Sequence, residues 1–216
     1  RVLFRSAWGT ALAAAVRRAG RDVVLWALEP EVVASINTQH INALYLPDVT
    51  LDSGVIATGS LADAAGADVL MLVVPAQHLR EIAGRVVPHM ASGKPVVICA
   101  KGIEQGTGAL MTEAAEALAQ GVLMVLSGPS FAGEVAKGLP TALTLATKDT
   151  GLGQIVAKAI GSRTLRPYLS ADLVGAQIGG AVKNVLAIAC GICDGRNLGA
   201  NARAALLTRG IAEIVR

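Results

Sequence analysis

Lys183 is the residue whose surroundings most favour acid–base chemistry. It is the only Lys, Arg, Asp or Glu between residues 173 and 193, a stretch rich in Ala, Gly, Val and Ile. Burial there would favour the neutral amine over the ammonium, which suits a group that exchanges a proton with a substrate oxygen. The alternative is a lysine on a surface helix that extends its ammonium into water. Gly179 and Gly180 before it and Asn184 after it favour the acid–base role.

Four further candidates follow apolar runs that predict strands. Pro75, Lys101 and the pair Gly128 and Ser130 each come after such a run. Ligands of doubly wound sheets bind beyond the carboxyl ends of the strands, so side chains there can meet a substrate or cofactor. Taken singly, each has an ordinary alternative: a strand-ending proline, a solvated loop lysine, or a turn followed by a helix that Ser130 caps.

A dinucleotide-binding turn is only partly present before the first predicted helix. Its motif, G-x-G-x-x-G, lets backbone amides approach a pyrophosphate. Gly9 matches the last glycine, whereas Phe4 and Ser6 occupy the first two positions. Alone, the motif is compatible with an ordinary helix start.

The elements that must position these residues alternate along most of the chain. Strands are predicted at 23–26, 55–58, 69–74, 96–100, 122–126 and 141–147, and helices at 9–19, 31–42, 77–90, 108–119, 131–137 and 151–160. This alternation predicts an α/β fold with a doubly wound, mostly parallel sheet. From residue 172 onward only helical sequence follows, broken near 194–201, which predicts the start of an all-α domain.

Composition excludes several classes of protein. The 216 residues are 53% hydrophobic and 16% charged, which argues against disorder, and the net charge of +3 argues against a nucleic-acid surface. Residues 173–193 have the length of a membrane span, but Lys183 near the middle would be costly in lipid. We therefore expect a soluble chain without a membrane span.

The cysteines predict neither a disulfide framework nor a metal site. Cys99, Cys190 and Cys193 are too few for a framework. The last two have the spacing of a metal or redox pair, but no second pair or nearby histidine accompanies them. We expect them to pack in the interior of a protein of the reducing cytoplasm.

Ordered motifs along the chain resemble the bacterial type of the NAD(P)-dependent glycerol-3-phosphate dehydrogenase family. They are AWGTALA at 7–13, NALYLPD at 42–48, VVPAQ at 73–77, KGIE at 101–104, SGPSFA at 127–132, GLPTA at 138–142, GGAVKNV at 179–185 and GANAR at 199–203. The resemblance covers residues 7–216. It implies a dinucleotide-binding domain of the Rossmann type and an oxidoreductase that interconverts sn-glycerol 3-phosphate and dihydroxyacetone phosphate for glycerophospholipid synthesis.

The resemblance also implies roles for individual residues. Lys183 would be the catalytic acid/base. Substrate contacts are expected from Lys101, Gly128, Ser130, Lys183 and Asn184. Cofactor contacts are expected from Ala7, Trp8, Gly9, Leu28, Pro75, Lys101 and Ala132. Asn201 and Arg203 match a further motif, for which helix capping and ion pairing are equally good explanations.

The cofactor is expected to be NAD or NADP, and residues after the second strand bear on the choice. A carboxylate there pairs with the ribose 2′-hydroxyl of NAD, whereas an arginine accommodates the 2′-phosphate of NADP. This chain has Leu28 where many bacterial members carry Arg or His, followed by Glu29. The pattern favours NAD without excluding NADP.

The resemblance has limits at both ends. Residues 1–6 do not match the family's first strand, and we expect them to be foreign, of the kind left by cloning or adapter DNA. Family members continue past residue 216, so we interpret residues 1–169 as the cofactor domain and 170–216 as the truncated start of the substrate domain.

Three questions stay open at this stage. One alternative function is a β-hydroxyacid-type dehydrogenase, which would usually carry Asn four positions after the lysine, where this chain has Ala187. The other is a nucleotide-binding fragment without turnover. The oligomeric state is the third question, with a homodimer as the candidate assembly.

Overall fold

The computed structural model describes residues 2–3 and 6–215. The strands are β1 (Val2–Leu3), β2 (Val23–Trp26), β3 (Ile41–Asn42), β4 (Leu46–Thr50), β5 (Val55–Thr58), β6 (Leu70–Leu72), β7 (Pro95–Ile98), β8 (Val122–Ser127), β9 (Thr141–Ala146) and β10 (Leu165–Ser170). The α-helices are α1 (Ala7–Arg18), α2 (Pro30–Gln39), α3 (Leu61–Ala65), α4 (Leu79–Val86), α5 (Met111–Ala114), α6 (Ala132–Lys137), α7 (Thr150–Ile160), α8 (Leu173–Gly195) and α9 (Gly199–Val215).

Eight strands form one sheet in the order β10-β9-β8-β7-β6-β1-β2-β5. Neighbouring strands are parallel except β8 and β9, which are antiparallel. Strands β3 and β4 form a separate antiparallel pair. The predicted fold class, a doubly wound and mostly parallel sheet followed by helices, is confirmed.

The core lies on both faces of the central strands. Every residue of β6 is buried, and so are the last three of β7, because helices cover a parallel sheet on both sides. Large side chains such as Leu12 on α1 and Leu72 on β6 are fully excluded from water. Each such side chain contributes about 1.5–3 kcal/mol by its burial.

Three predicted helices are shorter in the structure. The one expected at 77–90 is reduced to α4, with 3₁₀ turns at Ala76–His78 and Val87–His89 on either side. The helix expected at 31–42 ends at Gln39, because His40 takes a left-handed conformation and the chain then turns into β3. The helix expected at 108–119 is reduced to α5 and a 3₁₀ turn at Glu116–Leu118. Gly108 has φ of +71° and stands outside the helix.

Five elements were not predicted, among them β3, which takes the last two residues of the helix expected at 31–42. Strand β4 contains Pro47, and β10 carries polar and exposed side chains at a sheet edge, so neither shows an apolar run. Helix α3 is five residues long. Strand β1 pairs with both β2 and β6, so the expectation that residues 1–6 contain no family-like first strand is wrong at Val2 and Leu3. Phe4 and Arg5 lie outside the described residues.

Helices α8 and α9 follow the sheet and pack against each other. The non-helical residues between them, 196–198, lie within the interruption predicted near 194–201. Strand β10 ends at Ser170 and α8 begins at Leu173, but the division into domains at residue 169 stays a prediction. By length and composition α8 could cross a membrane, and its most apolar window has a mean hydropathy of 1.5.

Candidate functional site

A cleft of about 380 Å³ opens at the carboxyl ends of β6 and β7. The amino-terminal turns of α1 and α6 and one face of α8 complete its wall. The predicted site residues that line it are Trp8, Pro75, Lys101, Ser130, Ala132, Lys183 and Asn184. Residues from five separate segments therefore converge at the edge of the sheet where such folds bind ligands.

Lys101 is the most strongly constrained cation of the cleft. Its Nζ atom donates a hydrogen bond to the carbonyl oxygen of Gly128 over 3.0 Å and lies 5.3 Å from the centroid of the Trp8 ring. Burial lowers the pKa of this lysine from its ordinary value, and the nearby charge of Lys183 lowers it further. Two lysines that repel each other in a half-buried cleft favour an anionic ligand between them.

Lys183 reaches the cleft because α8 lies close to the end of β8. A Cβ atom added to Gly180 would lie 2.6 Å from the Ser127 Oγ atom, so only glycine allows this approach. Lys183 follows Gly180 by three residues and therefore lies on the same side of the helix. Asn184 beside it is exposed and also lines the cleft.

The turn after β8 depends on a glycine conformation. Gly128 has φ of +154°, and a Cβ atom there would lie 3.0 Å from a methyl carbon of Leu143. Its carbonyl oxygen can therefore point at Lys101, and the Ser130 hydroxyl lies 3.5 Å from the same oxygen. Phe131, not Ser130, is the N-cap residue of α6, so capping does not explain Ser130.

The other predicted cofactor residues do not line the cleft. Ala7 and Gly9 are in the first turn of α1, where the Gly9 amide donates to the Ser6 Oγ atom at 3.1 Å. Leu28 is 55% exposed and lines a separate depression of about 290 Å³ after β2. Glu29 accepts a hydrogen bond from the Tyr45 hydroxyl at 3.0 Å.

The residues present fit a nicotinamide dinucleotide in part. The Trp8 indole nitrogen is buried at the cleft, and the part of the chain that the structure describes offers it no hydrogen-bond partner. The amino terminus of α1 supplies backbone amides beside it. Ser6 carries a side chain where the dinucleotide motif has glycine, and the Phe4 position is outside the described residues.

Several residues near the site were not predicted to belong to it. Ser6 and Cys99 line the cleft. Gln177 on α8 is 5% exposed and bonds to α5, 65 residues away in the chain. The buried Asn42 donates to the Thr10 hydroxyl at 2.7 Å beneath α1. The motif NALYLPD at 42–48 marked the position of Asn42 in the sequence. The hydrogen bond between Gln177 and Thr112 joins segments far apart in the chain, and no sequence pattern indicates it.

The three cysteines, of which Cys99 borders the cleft, and the GANAR motif at 199–203 are the remaining candidates. Cys190 and Cys193 are buried, and burial raises the pKa of the Cys99 thiol to about 12. Across residues 2–3 and 6–215 no three His, Cys, Asp or Glu side chains form a metal-binding group. The Arg203 Nε atom lies 3.3 Å from the Asp194 Oδ2 atom, which agrees with ion pairing as the explanation for this arginine. Asn201 is an exposed residue of α9.

A larger cavity lies away from the predicted chemistry. It has about 630 Å³ and opens near the amino ends of β2 and β6, beside Arg21, Asp22, Asp68 and Lys158. None of the predicted site residues lines it. Because ligands of this fold bind at the opposite edge of the sheet, the smaller cleft is the better candidate.

Comparison with known proteins gives consistent matches over the chain. Residues 2–152 match the profile described as the NAD-dependent glycerol-3-phosphate dehydrogenase N-terminus, and residues 172–216 match the corresponding C-terminus. A glycerol-3-phosphate dehydrogenase (NAD(P)+) of Paramagnetospirillum magneticum is 61% identical over the whole chain, which covers 78% of that protein. A protein of the same name from Caulobacter vibrioides is 55% identical, and the chain covers 65% of it.

A solved structure agrees with the sequence matches. The crystal structure of glycerol-3-phosphate dehydrogenase from Coxiella burnetii superposes with a TM-score of 0.91 at 36% identity. It matches 99% of this chain, which spans 66% of that protein. The matches include Val2 and Leu3 and therefore begin before residue 7, where the resemblance was expected to start.

Proposed function

Because this chain belongs to the NAD-dependent glycerol-3-phosphate dehydrogenase family, we propose that it interconverts sn-glycerol 3-phosphate and dihydroxyacetone phosphate with NAD or NADP. One observation carries the proposal: Lys101 and Lys183 line one cleft, with the charge of Lys183 acting on Lys101. The chain spans 65% of its Caulobacter relative, so the activity of the whole protein is inferred from the part in hand.

Lys183 is proposed as the acid/base. In reduction, its ammonium gives a proton to the C2 oxygen of dihydroxyacetone phosphate; in oxidation, its neutral amine takes the C2 hydroxyl proton. A bound nicotinamide supplies or accepts the hydride at C2. The proton and the hydride together account for the two hydrogens that separate ketone from alcohol.

Lys101 is proposed to hold the substrate rather than to move its proton. Its ammonium is already bonded to the Gly128 carbonyl oxygen and lies over the Trp8 ring, so its position is fixed. A fixed cation beside the C2 oxygen or the phosphate stabilises negative charge there. Ser130 and Asn184, on the same wall, are proposed to donate or accept hydrogen bonds to the substrate hydroxyls.

Residues of the cleft wall and of the turn after β2 are proposed to hold the cofactor. Trp8, Pro75 and Ala132 would contact its nicotinamide half, and Leu28 its adenosine end. Glu29 is held by Tyr45 at the end of β2, which supports a preference for NAD because a carboxylate there repels a 2′-phosphate.

We further propose a soluble, cytoplasmic enzyme that serves phospholipid synthesis. The bonds of Gln177 and the close approach of Gly180 support the absence of a membrane span, because they join α8 to the sheet domain. Assembly as a homodimer stays a prediction.

A two-step experiment separates catalysis from nucleotide binding alone. NADH is first titrated against the chain by its own fluorescence. Oxidation of NADH is then followed with and without dihydroxyacetone phosphate. The same assay is run on a chimera that continues the chain with the remaining residues of the Paramagnetospirillum relative. Oxidation that requires dihydroxyacetone phosphate in the chimera supports the proposal, whereas NADH binding without such oxidation in either protein favours a binding module.

A further inference from the structure

The part of α8 that carries Lys183 is held to the rest of the protein by few residues. The buried residues of this 23-residue helix are Gln177, Gly180, Cys190 and Cys193. The cysteines lie two or more turns beyond Lys183. Gly180 permits a close approach but brings no side chain. At this end of the helix Leu173 and Ala176 are partly buried against the core, and Gln177 is the fully buried polar side chain.

The side-chain amide of Gln177 forms hydrogen bonds to α5 and to its own helix. Its Oε1 atom accepts from the Thr112 backbone amide at 2.9 Å, and its Nε2 atom donates to the Leu173 carbonyl oxygen at 2.8 Å. The Thr112 hydroxyl lies 3.2 Å from Nε2. The side chain is 5% exposed, so these bonds are shielded from water.

The bond to Thr112 supplies what α5 lacks. The first amides of a helix have no partner within the helix, and a polar N-cap side chain usually accepts from one of them. The N-cap residue of α5 is Leu110, which has no side-chain acceptor. Gln177 accepts from the second amide of α5 in its place, so a side chain of α8 completes the hydrogen bonding of α5.

We infer that Gln177 is a positioning residue, whose bonds to Thr112 hold α8 where Lys183 meets Lys101. The inference rests on the proposed role of Lys183. Six residues separate Gln177 from Lys183, roughly 9 Å along a rigid helix, so a shift at one is transmitted to the other. Gln177 does not line the cleft. Loss of its side-chain amide should nevertheless move Lys183 away from Lys101.

The test reads Lys101 directly, in the chain as it exists and without substrate or cofactor. Lysine labelled with ¹³C at Cε is titrated by NMR, and the Lys101 signal is identified by its loss in Lys101→Met. Lys183→Met gives the Lys101 pKa without the neighbouring charge. Gln177→Met keeps the side-chain volume and removes all the hydrogen bonds of the side-chain amide. Gln154→Met, at an exposed glutamine of α7, is the matched control.

We expect Lys183→Met to raise the Lys101 pKa and Gln177→Met to raise it by at least half as much, with no change in the control. A Lys101 pKa unchanged in a folded Gln177→Met protein overturns the inference, as does one unchanged in Lys183→Met. If Gln177→Met does not fold, Thr112→Val is titrated in its place, because it removes only the hydroxyl partner of Gln177. A smaller rise in the Lys101 pKa then supports the inference, and an unchanged Lys101 pKa overturns it.

Failure of the proposed function would show separately. The Lys101 titration needs no turnover, so an inactive chimera with a shifted Lys101 pKa keeps the positioning role and removes the catalytic one. In an active chimera, Gln177→Met should lower kcat at least tenfold and leave the KM for NADH within twofold. A purely structural bond would instead lower stability and leave kcat and the Lys101 pKa of the folded protein unchanged.

Discussion

Lys101 and Gly128 are joined by a 3.0 Å hydrogen bond from the lysine Nζ atom to the glycine carbonyl oxygen. The bond links the turn after β7 to the turn after β8, two neighbouring strands of the sheet. It holds a half-buried ammonium at the cleft, where its pKa is lowered by burial and by the charge of Lys183. The variants of Lys101, Lys183, Leu28, Gly179 and Gly180 are made in the chimera.

Replacement of Lys101 should weaken substrate binding. Lys101→Met removes a cation that an anionic substrate would contact, and a hydrogen bond to a charged group contributes about 1.5–3 kcal/mol. We therefore expect the KM for dihydroxyacetone phosphate to rise by roughly 10- to 150-fold at 25 °C. Steady-state kinetics measure it, with the exposed Lys148→Met as control. A KM within threefold of the unchanged protein would contradict the proposed contact.

Lys183→Ala should abolish turnover and leave nucleotide binding nearly intact. Loss of a general acid/base typically lowers a rate by about 10²- to 10⁴-fold. NADH affinity by fluorescence titration and dihydroxyacetone-phosphate-dependent oxidation are measured on the same preparation, beside the exposed Lys137→Ala. Near-normal oxidation in Lys183→Ala would remove this lysine from the chemistry.

Leu28→Arg should shift the cofactor preference toward NADPH. Leu28 is exposed after β2, where an arginine could pair with a 2′-phosphate. We expect the unchanged protein to prefer NADH and the variant to raise kcat/KM for NADPH at least tenfold. Leu139→Arg adds the same charge after α6 and should leave the ratio unchanged. A preference of the unchanged protein for NADPH would contradict the proposed preference for NAD.

Gly180 and Gly179 should respond in opposite directions to the same substitution. A Cβ atom at Gly180 meets the Ser127 Oγ atom at 2.6 Å, whereas one at Gly179 has no atom within 4 Å. Gly180→Ala should destabilise the chain by about 1–3 kcal/mol and lower kcat by displacing α8. Gly179→Ala should stabilise it by about 0.5–1 kcal/mol. Urea unfolding of the two variants gives both values, and equal effects would contradict the close approach of α8.

Glu104 should make stability depend on acid. The Arg80 guanidinium donates to both carboxylate oxygens at 2.8 Å, and with the Thr107 hydroxyl it lowers the Glu104 pKa to about 2. A carboxyl with a depressed folded-state pKa stabilises the protein above its ordinary pKa of 4.5, and this stabilisation is lost as the pH falls toward 2.

In the chain itself, Glu104→Gln should therefore lower the free energy of unfolding at pH 7. It should also flatten the decline of that free energy between about pH 4.5 and 2, the range set by the two pKa values. Glu134→Gln, at an exposed position, is the control. A decline as steep in Glu104→Gln as in the unchanged chain would contradict the ion pair.

The central sheet was predictable because its strands are buried on both faces. The apolar run at 69–74 contains β6, the one at 96–100 overlaps all of β7 but its first residue, and the glycine-rich segment before Lys183 lies in α8. Edge strand β10 was not predictable, because Arg166, Pro167 and Tyr168 interrupt any apolar pattern. Its pairing with β9 comes from backbone hydrogen bonds, which side-chain patterns do not report.

Residues of the site could be predicted where they come directly after a predicted strand, as Pro75 and Lys101 do. The tie between Gln177 and Thr112 joins two helices that are far apart in the chain, and nothing in either segment indicates its partner. The antiparallel pairing of β8 and β9 was also hidden, because short helix α6 connects them as a crossover helix would connect parallel strands.

The two tryptophans of the chain give it an internal optical reporter. Trp26 is sealed in the core with its indole nitrogen bonded to the Gly59 carbonyl oxygen, so its emission should stay constant when ligands enter. Trp8 lies on the cleft wall beside the Lys101 ammonium, and its emission should respond to any occupant. Occupancy of the cleft can therefore be read by light, without a label and before any reaction occurs.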